Sequence, residues 1–294
     1  MVASAERLWR VVTIAPALAV LVGLTLGPLV MLLVMTVFDI QWVEGVSRWT
    51  YVGAKHFADL PADALFRAGI ANTTIFAVAA VVGEMLLGFG LALLVSRAVR
   101  GRVVYRALFV LPILVPGIVI GAIWQLMYNA DFGVINDIAI VLGLPPQDWL
   151  GDKRWALFSV IMVDVWHWTP FCFLLLLAGL ESLPQDVYEA SRVDGAGALA
   201  QLRYVTVPLM LPTILVTLIF RLIVAVKVFD EVYLLTAGGP GTATEVISFT
   251  IYRRFFTEDR SGIASTMSVA TLLAVSLVVV LALAAARRRG TAAT

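Results

Sequence analysis

Residues 11–38 read VVTIAPALAVLVGLTLGPLVMLLVMTVF, from Val11 to Phe38, without one charged side chain. Crossing ~30 Å of hydrocarbon at 1.5 Å per residue takes roughly 20 apolar residues, so this run is long enough to span a bilayer. It also far exceeds the ~7–15 residues of a signal-peptide core, so Arg7 and Arg10 introduce a retained span rather than a cleaved leader. Working outward, similar runs bounded by charge cover approximately 72–95, 107–128, 156–180, 209–235 and 263–286. With 11–37 they make about six transmembrane helices, which predicts an all-α polytopic membrane protein in a lipid bilayer.

The composition agrees. Of 294 residues, 61% are hydrophobic and 14% charged, where a soluble domain carries about 25% charged residues. A net charge of +1 gives no field for nucleic acid. One cysteine, Cys172, excludes an internal disulfide or a cysteine-based metal cluster, and two histidines, His56 and His167, are too few for a His-rich site. No metal site and no cofactor are expected in this chain. One membrane domain is read over 1–294, with a core of about 68–286.

Lys and Arg accumulate on the cytoplasmic side of a membrane. One side holds Arg7, Arg10, Arg97, Arg100, Arg102, Arg106, Arg192, Arg203 and Arg287 to Arg289 in short segments. The other holds Arg48, Lys55, Arg67, Lys153, Arg154, Arg253, Arg254 and Arg260 in longer loops rich in Asp and Glu. The first side, with both termini, is read as cytoplasmic. Trp42, Trp49, Trp149 and Trp155 near the outer span ends read as interface anchors. Asn72-Thr73-Thr74 matches a glycosylation acceptor but sits at the mouth of a span, where chance explains it better. Pro112 and Pro116, with Gly117 and Gly121, weaken straight helical geometry in the third span and favour close helix packing over a gate.

Segment 181–208 carries the most information. Ser182 and Gln185 fit an S-x-x-Q capping box with Pro184 in the first turn, so a short helix is predicted from here, with Asp186 at its positive end. Gly195 permits a positive-φ turn before a second helix over about 196–205, and Pro208 and Pro212 mark the entry to the next span.

Glu189-Ala190-Ser191, then Asp194-Gly195-Ala196, then Val207-Pro208 resembles the cytoplasmic EAA loop of permease subunits of binding-protein-dependent ABC importers. Ser191, Leu202 and Val207 depart mildly from that pattern. The likeness extends to Tyr51-Val52-Gly53, Leu111-Pro112, Val163-Asp164-Val165-Trp166, Thr169-Pro170-Phe171 and Leu235-Thr236-Ala237-Gly238-Gly239-Pro240, which look like carbohydrate-type permeases of the maltose or glycerol-phosphate class. This resemblance implies a type I importer permease fold in a bacterial-type plasma membrane. It also implies a second permease subunit, two ATPase subunits holding ATP and magnesium, and an external solute-binding protein. The cargo implied is a sugar, oligosaccharide, polyol or glycerol-phosphate-like solute. Glu189, Ala190, Ser191, Asp194, Gly195, Ala196 and Pro208 would then form the segment that couples to the ATPase. The chain has no G-x-x-x-x-G-K-[ST] phosphate loop, so it is not itself an ATPase.

Ionisable residues at span depth mark pathways or buried partners. Asp164 lies ~12 Å from the outer end of its span and Arg221 ~18 Å from the inner end of a ~30 Å core. They are read as an ion pair, with Glu84 as the alternative partner. Lys227, Asp230 and Glu231 are expected to share one helix face near the outer mouth, either as a solvated ion pair or, with Tyr233, as a wet cavity for a hydroxyl-rich solute. Trp166 and Trp168 either pack or add stacking. Asp164 and His167, one helical turn apart, leave a proton-coupled secondary transporter as the alternative function.

Overall fold

The computed structural model describes residues 2–43, 45–97 and 102–290. Arg100 lies outside them, as do the side chains of Arg7, Arg10, Arg97, Arg102, Arg106 and Arg287 to Arg289. In chain order the elements are α1 (Val2–Met35), β1 (Phe38–Val43), β2 (Val46–Tyr51), α2 (Lys55–Asp59), α3 (Ala64–Arg97), α4 (Arg102–Val110), α5 (Gly117–Met127) and α6 (Val134–Val141). There follow α7 (Ala156–Glu181), α8 (Gln185–Val193), α9 (Ala198–Gln201), α10 (Val207–Ala225), α11 (Asp230–Leu235), α12 (Ile247–Tyr252) and α13 (Ser261–Gly290). Among the described residues five helices are long and apolar enough to span a membrane, or six if one bent pair is counted as a single span.

The chain divides into two compact units, 1–63 with 251–273 and 64–250 with 274–294. In the first, β1 and β2 form an antiparallel hairpin, with Phe38 opposite Tyr51. The Phe38 ring lies 5.6 Å from both Trp49 and Tyr51, edge to face. The same unit contains an ion cluster in which Arg254 binds Asp63 at 2.6 Å and also pairs with Glu258.

The second unit is built on α3, α7 and α10. Ala92, Val95, Cys172, Phe173, Leu176 and Met210 form its apolar core. Gly88 makes the α3–α7 approach possible, because a Cβ there would stand 2.8 Å from the Cys172 Cβ and 2.9 Å from the Phe173 nitrogen. Small residues at such crossings let membrane helices gain dispersion contacts that lipid cannot supply.

Two expected spans are not continuous helices. The run 107–128 turns through 99° between α4 and α5. Pro116 lacks an N–H and forces Val115 into an extended conformation (φ −86°, ψ 128°), which ends the preceding turn. Beyond the bend, Gly121 packs closely on α11, where a Cβ would meet Leu234 Cδ1 at 2.7 Å. The run 209–235 also breaks: α10 closes at Val226 with tight bonds from Lys227 N to Val224 O and from Val228 N to Ala225 O, and α11 starts at Asp230. The Val228 carbonyl is taken by the Ser248 hydroxyl of α12. A tertiary donor thus satisfies what the helix gives up.

The loop after α11 is tied back to α3. Asn72 Nδ2 donates to the Thr242 and Glu245 carbonyls at 2.8 and 3.0 Å, and Thr73 Oγ1 accepts from Ile247 N at 2.8 Å. The Asn72-Thr73-Thr74 run therefore meets the segment that follows Leu235-Thr236-Ala237-Gly238-Gly239-Pro240. The indole N–H of Trp149 donates to Asn136 Oδ1 at 2.8 Å.

Candidate functional site

Arg221 of α10, fully buried, joins three helices. Its guanidinium binds both oxygens of Glu84 on α3, and Nη2 donates to Asp164 Oδ2 on α7 at 2.7 Å. The two carboxylates expected as alternatives therefore hold the same cation together. The guanidinium carbon also sits 4.7 Å above the Trp168 ring, a stacking its planar charge favours. Trp168 is four residues after Asp164 and so shares its helix face, a spacing that could have marked it in the sequence.

Beside this cluster lies a cavity of about 460 Å³ lined by Asp164, His167, Trp168, Lys227, Asp230 and Glu231, among others. Lys227, Asp230 and Glu231 do not share a helix face, because the α10–α11 break falls between Lys227 and Asp230. Glu231 is buried and its Oε1 lies 3.1 Å from His167 Nδ1, so it is no part of a solvated pair with Lys227. Tyr233 is not among the lining residues; its ring stacks on Phe229 at 5.4 Å. Trp166 is 43% exposed and meets Trp124 edge-on at 5.6 Å, away from that lining. Asp164 and His167 do not pair with each other: the first engages Arg221, the second Glu231.

The second site is α8. The helix starts at Gln185 with Pro184 as its N-cap, and the capping box does not form. Ser182 instead ends α7, which runs on to Glu181, and its hydroxyl donates to Gly179 O at 2.8 Å. At the other end Gly195 N donates to Arg192 O and Ala196 N to Ser191 O. This 5→2 and 6→1 pairing is the Schellman closure, with Gly195 at φ +79°. Glu189, Ala190 and Asp194 are exposed, Ser191 and Ala196 half-buried. The Ser191 hydroxyl is already engaged, accepting from Gln201 Nε2 at 3.0 Å. The second helix is short: α9 ends at Gln201 and a π turn over Leu202–Thr206 runs directly into α10, so exposed Pro208 sits in the first turn of α10.

Residues 84–289 match the family described as binding-protein-dependent transport system inner membrane component. The chain belongs to that family. This permease is 39% identical over 233 residues to the trehalose/maltose transport system permease protein MalF of Thermococcus litoralis, with 79% of each chain covered. It is 30% identical over 264 residues to the sulfoquinovosyl glycerol transport system permease protein SmoG of Agrobacterium fabrum, covering 90% of this chain and 85% of that one. Its fold matches a chain of the bacterial alginate ABC transporter solved with an alginate pentasaccharide-bound periplasmic protein, at TM-score 0.84 and 23% identity, covering 97% of the permease and 96% of that chain. Family membership leaves the proton-coupled alternative without support.

Proposed function

We propose that the permease forms half of the pore of an ATP-driven importer in a bacterial-type plasma membrane, moving a sugar, oligosaccharide or polyol delivered by an external binding protein. The cavity bounded by α7 and the α10–α11 break carries this reading. It brings an indole face (Trp168) next to carboxylates (Asp164, Asp230), and aromatic faces and charged acceptors suit sugar C–H surfaces and hydroxyls. Arg221 is bound by two carboxylates, which leaves Lys227 as the cation on the lining and disfavours a glycerol-phosphate-like anion. The MalF relative, named for trehalose and maltose, supports the same solute class.

In this reading α8 lies on the cytoplasmic side with both termini, the orientation that the larger number of arginines on that side favours. Glu189, Ala190 and Asp194 face a cleft on one of two partner ATPases, which hold ATP and magnesium, and a second permease subunit completes the pore. Exposed apolar Val193 and Leu199 (87% and 77% exposed) flank the Gly195 turn and enlarge that contact surface. The test is uptake of labelled maltose and trehalose by proteoliposomes holding both permeases, the ATPases and the binding protein. ATP-dependent uptake is expected, and uptake driven by a proton gradient without ATP would sink the reading.

A further inference from the structure

Four residues close a ring of hydrogen bonds between α8 and the foot of α10. Thr206 Oγ1 donates to Gln201 O at 3.3 Å, so its 2.9 Å contact with Tyr188 is donated by the Tyr188 hydroxyl. Gln201 Nε2 donates to Ser191 Oγ at 3.0 Å, and Ser191 Oγ donates to Tyr188 O at 2.8 Å, which returns to the start. Thr206 is 4% exposed and is the last residue of the π turn. That wider turn, a form concentrated at functional positions, precedes Pro208, which cannot donate a helical bond. The ring itself borders a cavity of about 880 Å³ that sets α8 off from the ends of α3 and α7, with Tyr188, Gln201 and Thr206 on its wall beside Leu93, Ser96 and Glu181, among others. The ring therefore ties α8 to α10 on a side where close packing against α3 and α7 does not hold it.

We propose that Tyr188, Ser191, Gln201 and Thr206 are positioning residues that make α8 and α10 one lever, delivering a displacement of α8 to Arg221. The distance is about 22 Å along fifteen helical residues. At the far end Arg221 is held by Asp164 and Trp168, both of which line the solute cavity. The two ends of one helix thus touch the ATPase-facing segment and the solute site. Without the ring, movement of α8 would be taken up at the Gly195 turn and in the adjoining void. This inference rests on the proposed docking of α8 to an ATPase.

The test measures ATP hydrolysed per sugar imported, with maltose and trehalose as probes, in proteoliposomes of the complete importer. Tyr188→Phe and Thr206→Val each remove one hydroxyl from the ring without changing the backbone. Each is expected to raise the ratio about fivefold or more, the scale of a typical intersite coupling. Gln201→Ala, which cuts the other limb, is expected to raise it as well. A role in folding or assembly alone would lower hydrolysis and uptake together. An unchanged ratio in these variants, whether both activities persist or fall in proportion, overturns the proposal. An unsubstituted complex that shows no ATP-dependent uptake sinks the proposed function, and the lever with it.

Discussion

Arg221 on α10 reaches Asp164 on α7 with a 2.7 Å charge-assisted hydrogen bond while the same guanidinium holds Glu84 on α3. The three helices of the second unit are thereby fixed in register at one buried point. Removing the cation leaves two carboxylates without a counter-charge in a low-dielectric interior. Breaking a buried pair in this way costs about 3–5 kcal/mol. Arg221→Gln should therefore lower the thermal midpoint of the detergent-purified complex sharply, and Glu84→Gln should lower it less because Asp164 still balances the arginine. A midpoint for Arg221→Gln within error of the parent would show that the cluster does not stabilise the fold.

Gly88 admits no side chain where α3 crosses α7. Gly88→Val would force the two helices apart or twist side chains off their rotamers, at a cost of about 1–3 kcal/mol. The yield of folded, monodisperse protein on size exclusion should fall, whereas Gly90→Ala, where a Cβ meets nothing within 4 Å, should leave it unchanged.

Gly195 closes α8 at φ +79°. An L-residue held there costs roughly 1–2 kcal/mol, so Gly195→Val should weaken the turn and reduce ATP-driven uptake. Glu189→Lys, on the exposed face, should abolish uptake with membrane insertion intact. Normal uptake by the Glu189→Lys variant would remove Glu189 from the docking surface.

Asn72 makes two hydrogen bonds to the backbone around Thr242 and Glu245. Asn72→Ala leaves those carbonyls without their donor, at about 1–3 kcal/mol if they stay dry. Faster hydrogen exchange confined to residues 236–246 is the expected signature, and exchange unchanged there would mean that water takes over both bonds.

Long apolar runs were readable because length alone decides them: 156–180 became Ala156–Glu181, and 11–37 falls largely within Val2–Met35. The shared depth of Asp164 and Arg221 was readable too, since helical rise converts sequence position into distance. The breaks were harder. Pro112 and Pro116 announce a disturbance near 107–128 but not a 99° turn. Residues 226–229, Val-Lys-Val-Phe, contain neither Pro nor Gly, and the hydroxyl that captures Val228 lies twenty residues further on. The Ser182 capping signal misled because α7 runs one residue beyond its apolar stretch and uses that serine for its own end. The hairpin was visible in the alternation of Phe38, Ile40 and Trp42, a period-2 pattern inside a segment judged only by its polarity. Tyr188, Gln201 and Thr206 carry no motif; only the meeting of α8 with the π turn gives them a role.

The contact between Gly88 and Cys172 has a practical side. Cys172 is the chain's one cysteine and is fully buried, and a thiol closed in by apolar neighbours and adjacent backbone is inert to alkylating reagents. The folded permease is thus silent towards maleimides as it stands. A cysteine placed at Val193 or Leu199 would be the one reactive handle, and a fluorophore attached there would report movements of the α8–α9 turn against an unaltered background.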